Sequence, residues 1–453
     1  MNEQTKVQKI YEKLKRRIEI GELASGDRLP SIRQAAEDFG VSKGTVEIAY
    51  TQLELEGYVS AAARSGYYVR EIDFLDFGAP EMEGRRKGGY KLSYETEACP
   101  VGHLRASDGI CADDFDYRSW RKEICRILDY RSERLSMVPE IRGESELRAQ
   151  IARFVSMHRD VFCMPEQVVI ASGTQILLSI LAARFRELGI TRIAFEHPGF
   201  RKGAQVFEAG GIELSEVSVG ADGICVEELR RSGAKVVYVS PAHQFPSGAV
   251  MSIANPMKQL KWAEQVDGMI LEDDYDGILR YAGSPIPALQ GLSRRDDVIY
   301  LGSFSKLLSP SIRISFMVLP RGWDGSDLPL YNQSASKLDQ LALAAWMADG
   351  TMDRHLRRLR KAYKQKAIRI VRAVEEYSGG RISPEAWESG TYLVLRLRGI
   401  AEDPFAKVCS ELGLSVQRLD PRRWILSYSG IEEGRVEELM RCLCEGAVTG
   451  GGD

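Results

Sequence analysis

The chain has 453 residues, 44% of them apolar, a formal net charge of −3 and eight scattered cysteines. That length asks for more than one hydrophobic core. No apolar run reaches the roughly 18 residues of a membrane span, and the near-neutral balance excludes a nucleic-acid binder that works by bulk charge alone. The first residues, Met1 to Lys6, hold no apolar signal core, and the cysteine spacing spells neither a zinc ribbon nor a redox motif. The expectation is a cytoplasmic protein with reduced thiols, no membrane segment and no metal.

Val7, Ile10, Tyr11, Leu14 and Ile18 recur at helical spacing within residues 3–20 and Gly21 follows them, which predicts an amphipathic helix. Pro30 and Ser31 open a second helix, with Ser31 as N-cap and Gln34 three residues on in a capping-box arrangement; Gly40 closes it. Ser42 caps a third helix that runs to about Glu56. Only Gly40 and Val41 separate the two, which is helix-turn-helix spacing. Residues 57–60 and 66–69 read as two short strands around a turn containing Arg64, the geometry of a wing. With the third helix in a major groove, Ser42, Lys43 and Thr45 reach phosphates and base edges, while Arg33 and Arg64 contact backbone or minor groove. The cluster Lys13, Lys15, Arg16 and Arg17 reads equally as a DNA-facing patch or a solvated helix face.

The string from Leu29 through Arg33, Phe39, Ser42 and Lys43 to Val46, followed by Ala49 to Tyr58, closely resembles the winged helix of the GntR family. The resemblance implies a double-stranded DNA operator as partner. Lys43 stands where the family usually has arginine, which keeps a phosphate contact but not a bidentate guanine contact.

Between residues 71 and 104 the periodicity breaks down and the composition turns polar and glycine-rich, as in a flexible linker. From residue 105 onward helical patterns alternate with apolar runs beginning at Val168, Arg192, Val236, Gly268 and Val298. This predicts an α/β domain over 105–453, with a mostly parallel sheet whose ligands bind at the strand ends.

The last of those runs, Val298 to Leu301, leads into Gly302, Ser303, Phe304, Ser305 and Lys306, with Arg313 close behind. A lysine there, with two hydroxyls and a guanidinium beside it, suits an amine that condenses with an aldehyde next to a phosphate. Pyridoxal 5′-phosphate (PLP) offers both groups. Gly173, Thr174 and Gln175 begin a helix after the first strand, where backbone N–H groups and the helix dipole favour an anion. Asp273 and Tyr275, in an acidic run after the fourth strand, are the choices for ring nitrogen and ring oxygen; an acidic turn or a magnesium site is the competing reading. Phe200 is read as a ring stacking on the cofactor or as core, with the cations Arg201 and Lys202 after it. His243 and Gln244 follow another strand and bring an imidazole and an amide near the ring oxygen, although His243 reads equally as structural.

Together these segments resemble the fold-type I aminotransferase domain. With the N-terminal reader, and with Gly143 to Arg148 ahead of the phosphate segment, nearly the full length resembles the MocR subfamily of GntR-family bacterial regulators. The resemblance implies a head-to-tail homodimer that binds PLP through Lys306. It also implies a sensor of a small amino compound, for instance D- or L-alanine, through an external aldimine, or of PLP itself. The alternative is a working aminotransferase with an appended DNA-binding domain. Such enzymes carry a C-terminal arginine that clamps the substrate carboxylate, and Gly430 stands where it is expected. Arg201, Lys202, Arg422 and Arg423 are the candidate substitutes for contacting the effector.

Overall fold

The computed structural model describes residues 3–19, 22–62, 66–70, 109–220, 222–248, 251, 254–281, 287–323, 328 and 332–449. Arg64 and the expected linker 71–104 lie outside these residues. The chain divides into two compact units, Met1–Glu97 and Ala98–Asp453.

The first unit holds α1 (Glu3–Glu19), α2 (Ile32–Phe39), α3 (Lys43–Leu55), β1 (Val59–Ala62) and β2 (Gly66–Val69). Ile10, Leu14 and Ile18 of α1 meet Ala35 of α2 and Val46, Ala49, Tyr50 and Leu53 of α3 in one core, closed by Val59 and Val69. The two strands pair antiparallel with Val59 opposite Val69 and Ala62 opposite Gly66. Ser31 caps α2 by accepting from the Gln34 backbone N–H at 3.2 Å. The capping box is only half made, because the Gln34 amide turns forward and donates to Asp38 at 3.0 Å. Gly40 takes the left-handed conformation at φ 63° that a side chain would disfavour, and its N–H returns to the last carbonyls of α2. That reversal brings Ser42 to the start of α3, where its Oγ accepts from the Thr45 N–H at 3.2 Å.

The second unit is built on a sheet of eight strands: β3 (Val168–Ala171), β4 (Arg192–His197), β5 (Glu213–Gly220), β6 (Gly223–Ile224), β7 (Val236–Val239), β8 (Met269–Asp274), β9 (Val298–Ser303) and β10 (Ser315–Val318). Their spatial order is β3-β10-β9-β8-β7-β4-β5-β6. β9, β8, β7, β4 and β5 run parallel, while β10 lies antiparallel between β9 and β3. Neighbouring residues on a strand serve opposite faces. Val169, Leu301 and Met317 pack with Leu177, Leu181 and Phe185 on one side; Ile170, Tyr300 and Phe316 pack with Leu147 and Ile151 on the other. Gly143 (φ 97°) lets the chain pass against this sheet, since a Cβ there would come within 2.6 Å of Ile170.

Four strands beyond the apolar runs singled out in the sequence form a separate antiparallel sheet near the C-terminus: β11 (Ile382–Glu385), β12 (Tyr392–Leu397), β13 (Val416–Asp420) and β14 (Arg423–Ser427), in the order β11-β12-β14-β13. Among the described residues no helix is long and apolar enough to cross a membrane, and no cluster of side chains has the composition of a metal site.

Candidate functional site

β3, β4, β7, β8 and β9 all point their C-terminal ends to one edge of the large sheet, as the register requires. Ser315, the first residue of β10, lies opposite both Ala171 and Ser303. Arg313 therefore falls between the loop after β3 and the loop after β9. Gly173, in the N-cap position of the helix Thr174–Glu187, has φ 133° and ψ 159°, a region open to little besides glycine. A Cβ on it would come within 2.7 Å of Arg313 Nη2. The missing side chain thus leaves the guanidinium against the first turn of a helix, where N–H groups await an anion. Ser303 Oγ accepts from the Ser305 N–H at 3.2 Å and from the Ser315 hydroxyl at 3.0 Å. Lys306 is partly buried in the turn that follows.

Asp273 is buried at the end of β8, and its carboxylate accepts from the Tyr238 hydroxyl. Burial pushes its pKa up to about 7, with the carboxylates of Asp274 and Asp276 adding to the rise and the Tyr238 bond opposing it. Glu196, at the end of β4, is held by the Ser240 N–H at 3.2 Å and the Gln244 amide at 3.3 Å. Burial raises it to about 8, and its buried Oε1 finds no hydrogen-bond partner among the described residues. Phe200 lies 6.3 Å from the Tyr238 ring at 28°. Gly203 permits this: a Cβ on it would come within 2.4 Å of the Phe200 ring.

On the other flank His243 Nδ1 meets both oxygens of the buried Asp276, at 3.0 and 2.9 Å, and its buried Nε2 finds no partner among the described residues. The Tyr275 hydroxyl stands 3.3 Å from that Nδ1 and 3.1 Å from the Tyr392 hydroxyl. Tyr392 also stacks on His243 at 4.7 Å and donates to the Gln244 carbonyl oxygen at 3.2 Å. Burial, reinforced by Asp276, raises the pKa of both phenols. The edge thus gathers an anion cup, a buried carboxyl, an amine, an aromatic face and orphaned polar atoms. That donor set suits a phosphorylated, cationic heteroaromatic ring bearing an aldehyde.

Two family models match the chain: "Bacterial regulatory proteins, gntR family" over residues 6–69 and "Aminotransferase class I and II" over residues 111–441. The uncharacterized HTH-type transcriptional regulator YdeL of Bacillus subtilis is 34% identical over 96% of this chain and 95% of its own. The probable rhizopine catabolism regulatory protein MocR of Rhizobium meliloti is 30% identical over 96% and 92%. This chain belongs to the MocR subfamily of GntR-family regulators. Its second unit has the fold of the kynurenine aminotransferase of Pyrococcus horikoshii, with a TM-score of 0.66 and 21% identity over 77% of this chain and 91% of that one.

The MocR-type site departs from the sequence reading at several residues. Gln244 is fully buried, and its amide donates to Glu196, the Pro198 carbonyl and the Phe245 carbonyl while accepting from Ser247. No donor is left for a ring oxygen, so Gln244 ties two loops together. Arg422 and Arg423 do not converge on this edge. Tyr392 is opposite Ser427 in the small sheet and Arg396 is opposite Arg423, which sets Arg423 about 13 Å along the strand from Tyr392, where Asp420 holds it at 2.6 Å. Gly430 lies past the strand beside Leu412, Leu414 and Ile431; the residue that shares Tyr392's face is Ser427, again not an arginine. Gln175 is exposed, as are Arg201 and Lys202 at the start of the helix after Phe200. Tyr392, Glu196 and Tyr238 were missed, since a tyrosine or glutamate at a strand end carries no local signal.

In the winged helix Lys43 and Arg33 are exposed, with Arg33 3.4 Å from Glu37. Thr45 requires correction: it is 3% exposed and its hydroxyl is shared with Ser42 at 2.7 Å, so it serves the helix start and does not reach a groove. Ser42 is exposed, but its oxygen is likewise engaged in the cap.

Proposed function

We propose that this MocR-type regulator binds PLP in its second unit and senses a small amino compound there, with residues 1–70 reading an operator, 71–104 linking and 105–453 carrying the sensor. The observation that carries this reading is the meeting of Lys306, Asp273, Tyr275 and the Gly173–Arg313 cup at one sheet edge, in a chain that also holds a winged helix. When bound, PLP supplies an aldehyde that condenses with primary amines. Lys306 provides the resident amine. Thr174, Arg313, Ser303 and Ser305 hold the phosphate, with backbone N–H groups of the helix start. Asp273 keeps a proton on the ring nitrogen: its raised pKa reflects a buried carboxylate without a cationic partner, and a ring cation beside it stabilises the ionised form. Phe200 covers one face of the ring, and the Tyr275 hydroxyl and His243 flank its polar edge. Arg201 and Lys202, at the start of the helix after Phe200, are the candidates to serve an acidic group on the effector. Two chains pair head to tail as the functional unit.

An effector acts only through different affinities for two arrangements of the protein. Titration of the full chain with D- and L-alanine, γ-aminobutyrate and taurine, followed by visible absorbance, tests this reading. A band that shifts and persists supports a sensor. Conversion to a pyridoxamine spectrum identifies the aminotransferase alternative. Lys306→Ala should abolish the visible band and keep the fold, and a band retained in that variant would overturn the assignment.

A further inference from the structure

The surface of α3 divides into two stripes. Thr45, Val46, Ala49, Tyr50 and Leu53 are buried against the rest of the winged helix, whereas Gly44, Glu47, Ile48 and Thr51 are exposed. The spacing of these four puts them on one helical face. Ile48 keeps 59% of its surface exposed and is the apolar side chain among these four. This face contains no lysine or arginine, and Lys43 stands only at its N-terminal edge. It also carries the Glu47 carboxylate, which a phosphate would repel. The middle of the helix is therefore unsuited to backbone contacts.

In a GntR-type winged helix, α3 is the element presented to the major groove, where its first turns meet base edges. The apolar feature of that groove is the C5-methyl group of thymine. We propose that Ile48 reads a thymine methyl in the operator and is a determinant of this regulator's sequence preference. Gly44, one turn earlier on the same face, has no neighbour nearer than Ser42 Oγ at 4.0 Å from where a Cβ would stand, so no side chain holds the helix start away from the DNA. The inference rests on reading residues 1–70 as the DNA-binding unit.

The test uses the full-length protein to enrich duplexes from a randomised library, then replaces each thymine of the selected site in turn by deoxyuridine, which removes only the methyl. At one base pair of each half-site the replacement should weaken wild-type binding about fourfold, the worth of one buried methyl group. Ile48→Ala should bind thymine and deoxyuridine alike there, and Ile48→Val should keep the discrimination. Because Ile48 is exposed, the variants should melt with the wild type. Equal binding of thymine and deoxyuridine at every position in the wild type, or a preference that survives Ile48→Ala, overturns the proposal. If no duplex is enriched at all, the DNA-binding reading itself falls and Ile48's role with it, an outcome distinct from enrichment without a methyl effect.

Discussion

The two units of this chain place their functional residues in opposite ways. In the winged helix the candidate contacts lie within a short stretch of sequence, and a single buried stripe on α3 orients them. In the aminotransferase-like unit Gly173, Phe200 and Asp273 come from the ends of three different strands and Lys306 and Arg313 from the connection between β9 and β10, and only the register of the sheet brings them to one edge. A local site tolerates the loss of one contact with a graded weakening. An assembled site depends on the backbone that closes it, so a substitution without any polar atom can undo it.

Gly173→Ala is the strongest way to break that contrast. The variant has to adopt φ 133° and displace Arg313; backbone strain of about 1–3 kcal/mol falls on the cup alone. PLP affinity, measured by absorbance titration, should drop by about tenfold or more, while DNA affinity in the absence of effector stays unchanged. A full-affinity variant would show that the phosphate is held elsewhere.

The next effect is one of pH. Glu196 and Asp273 have folded-state pKa values raised by burial to about 8 and 7. The folded protein therefore keeps protons that the unfolded chain releases near pH 4, and stability falls as pH rises from about 5 through those values. For the cofactor-free protein the melting temperature should be lower at pH 8.5 than at pH 6, by roughly 2–4 °C for each kcal/mol lost. Glu196→Gln cannot ionise and should flatten that slope while preserving the bonds to Ser240 and Gln244. An unchanged slope would remove Glu196 as its source and leave Asp273 and Glu272, both raised by burial to about 7.

The same contrast explains what was legible in the sequence. The winged helix was readable because its caps and glycine turn are adjacent residues with local physics: Ser31, Gly40 and Ser42 act where they stand. The large sheet was readable from its apolar runs. In the small sheet β13 is half polar and partly exposed, whereas β12 is as apolar and buried as the strands of the large sheet. The contacts of Tyr392 carry no local signal, since they exist only across a distance of 117 residues. Gln244 shows that an amide next to a strand end serves loop closure as well as ligand contact, and Gly430 lies past β14 beside Leu412 and Leu414.

Within the winged helix, Lys43→Ala should lower DNA affinity evenly across sequences and flatten the salt dependence by about one phosphate contact. The exposed lysine makes a point-charge contact, so Lys43→Arg should restore the slope. An unaltered salt slope would remove Lys43 from the interface.

The smallest predicted effect is the most discriminating, because it concerns a single hydrogen. Tyr392 donates to the Gln244 carbonyl, and His243 Nδ1 faces the Asp276 carboxylate, so that nitrogen carries a proton. Among the described residues the Tyr275 hydroxyl then has one protein acceptor within reach, the Tyr392 oxygen at 3.1 Å. Tyr392→Phe removes that acceptor and frees the Tyr275 hydrogen to point at the ring oxygen of bound PLP. A hydrogen bond donated there stabilises the deprotonated chromophore, and one neutral bond is worth about 0.5–1.5 kcal/mol. The midpoint of the visible band's pH titration should therefore move down, by up to about one unit. Tyr275→Phe, which gives up no bond to the ring oxygen in the wild type, should leave it near the wild-type value, and the double variant should match Tyr275→Phe. A Tyr392→Phe midpoint equal to the wild type would reduce Tyr392 to packing and leave the small sheet without a part in the sensor site.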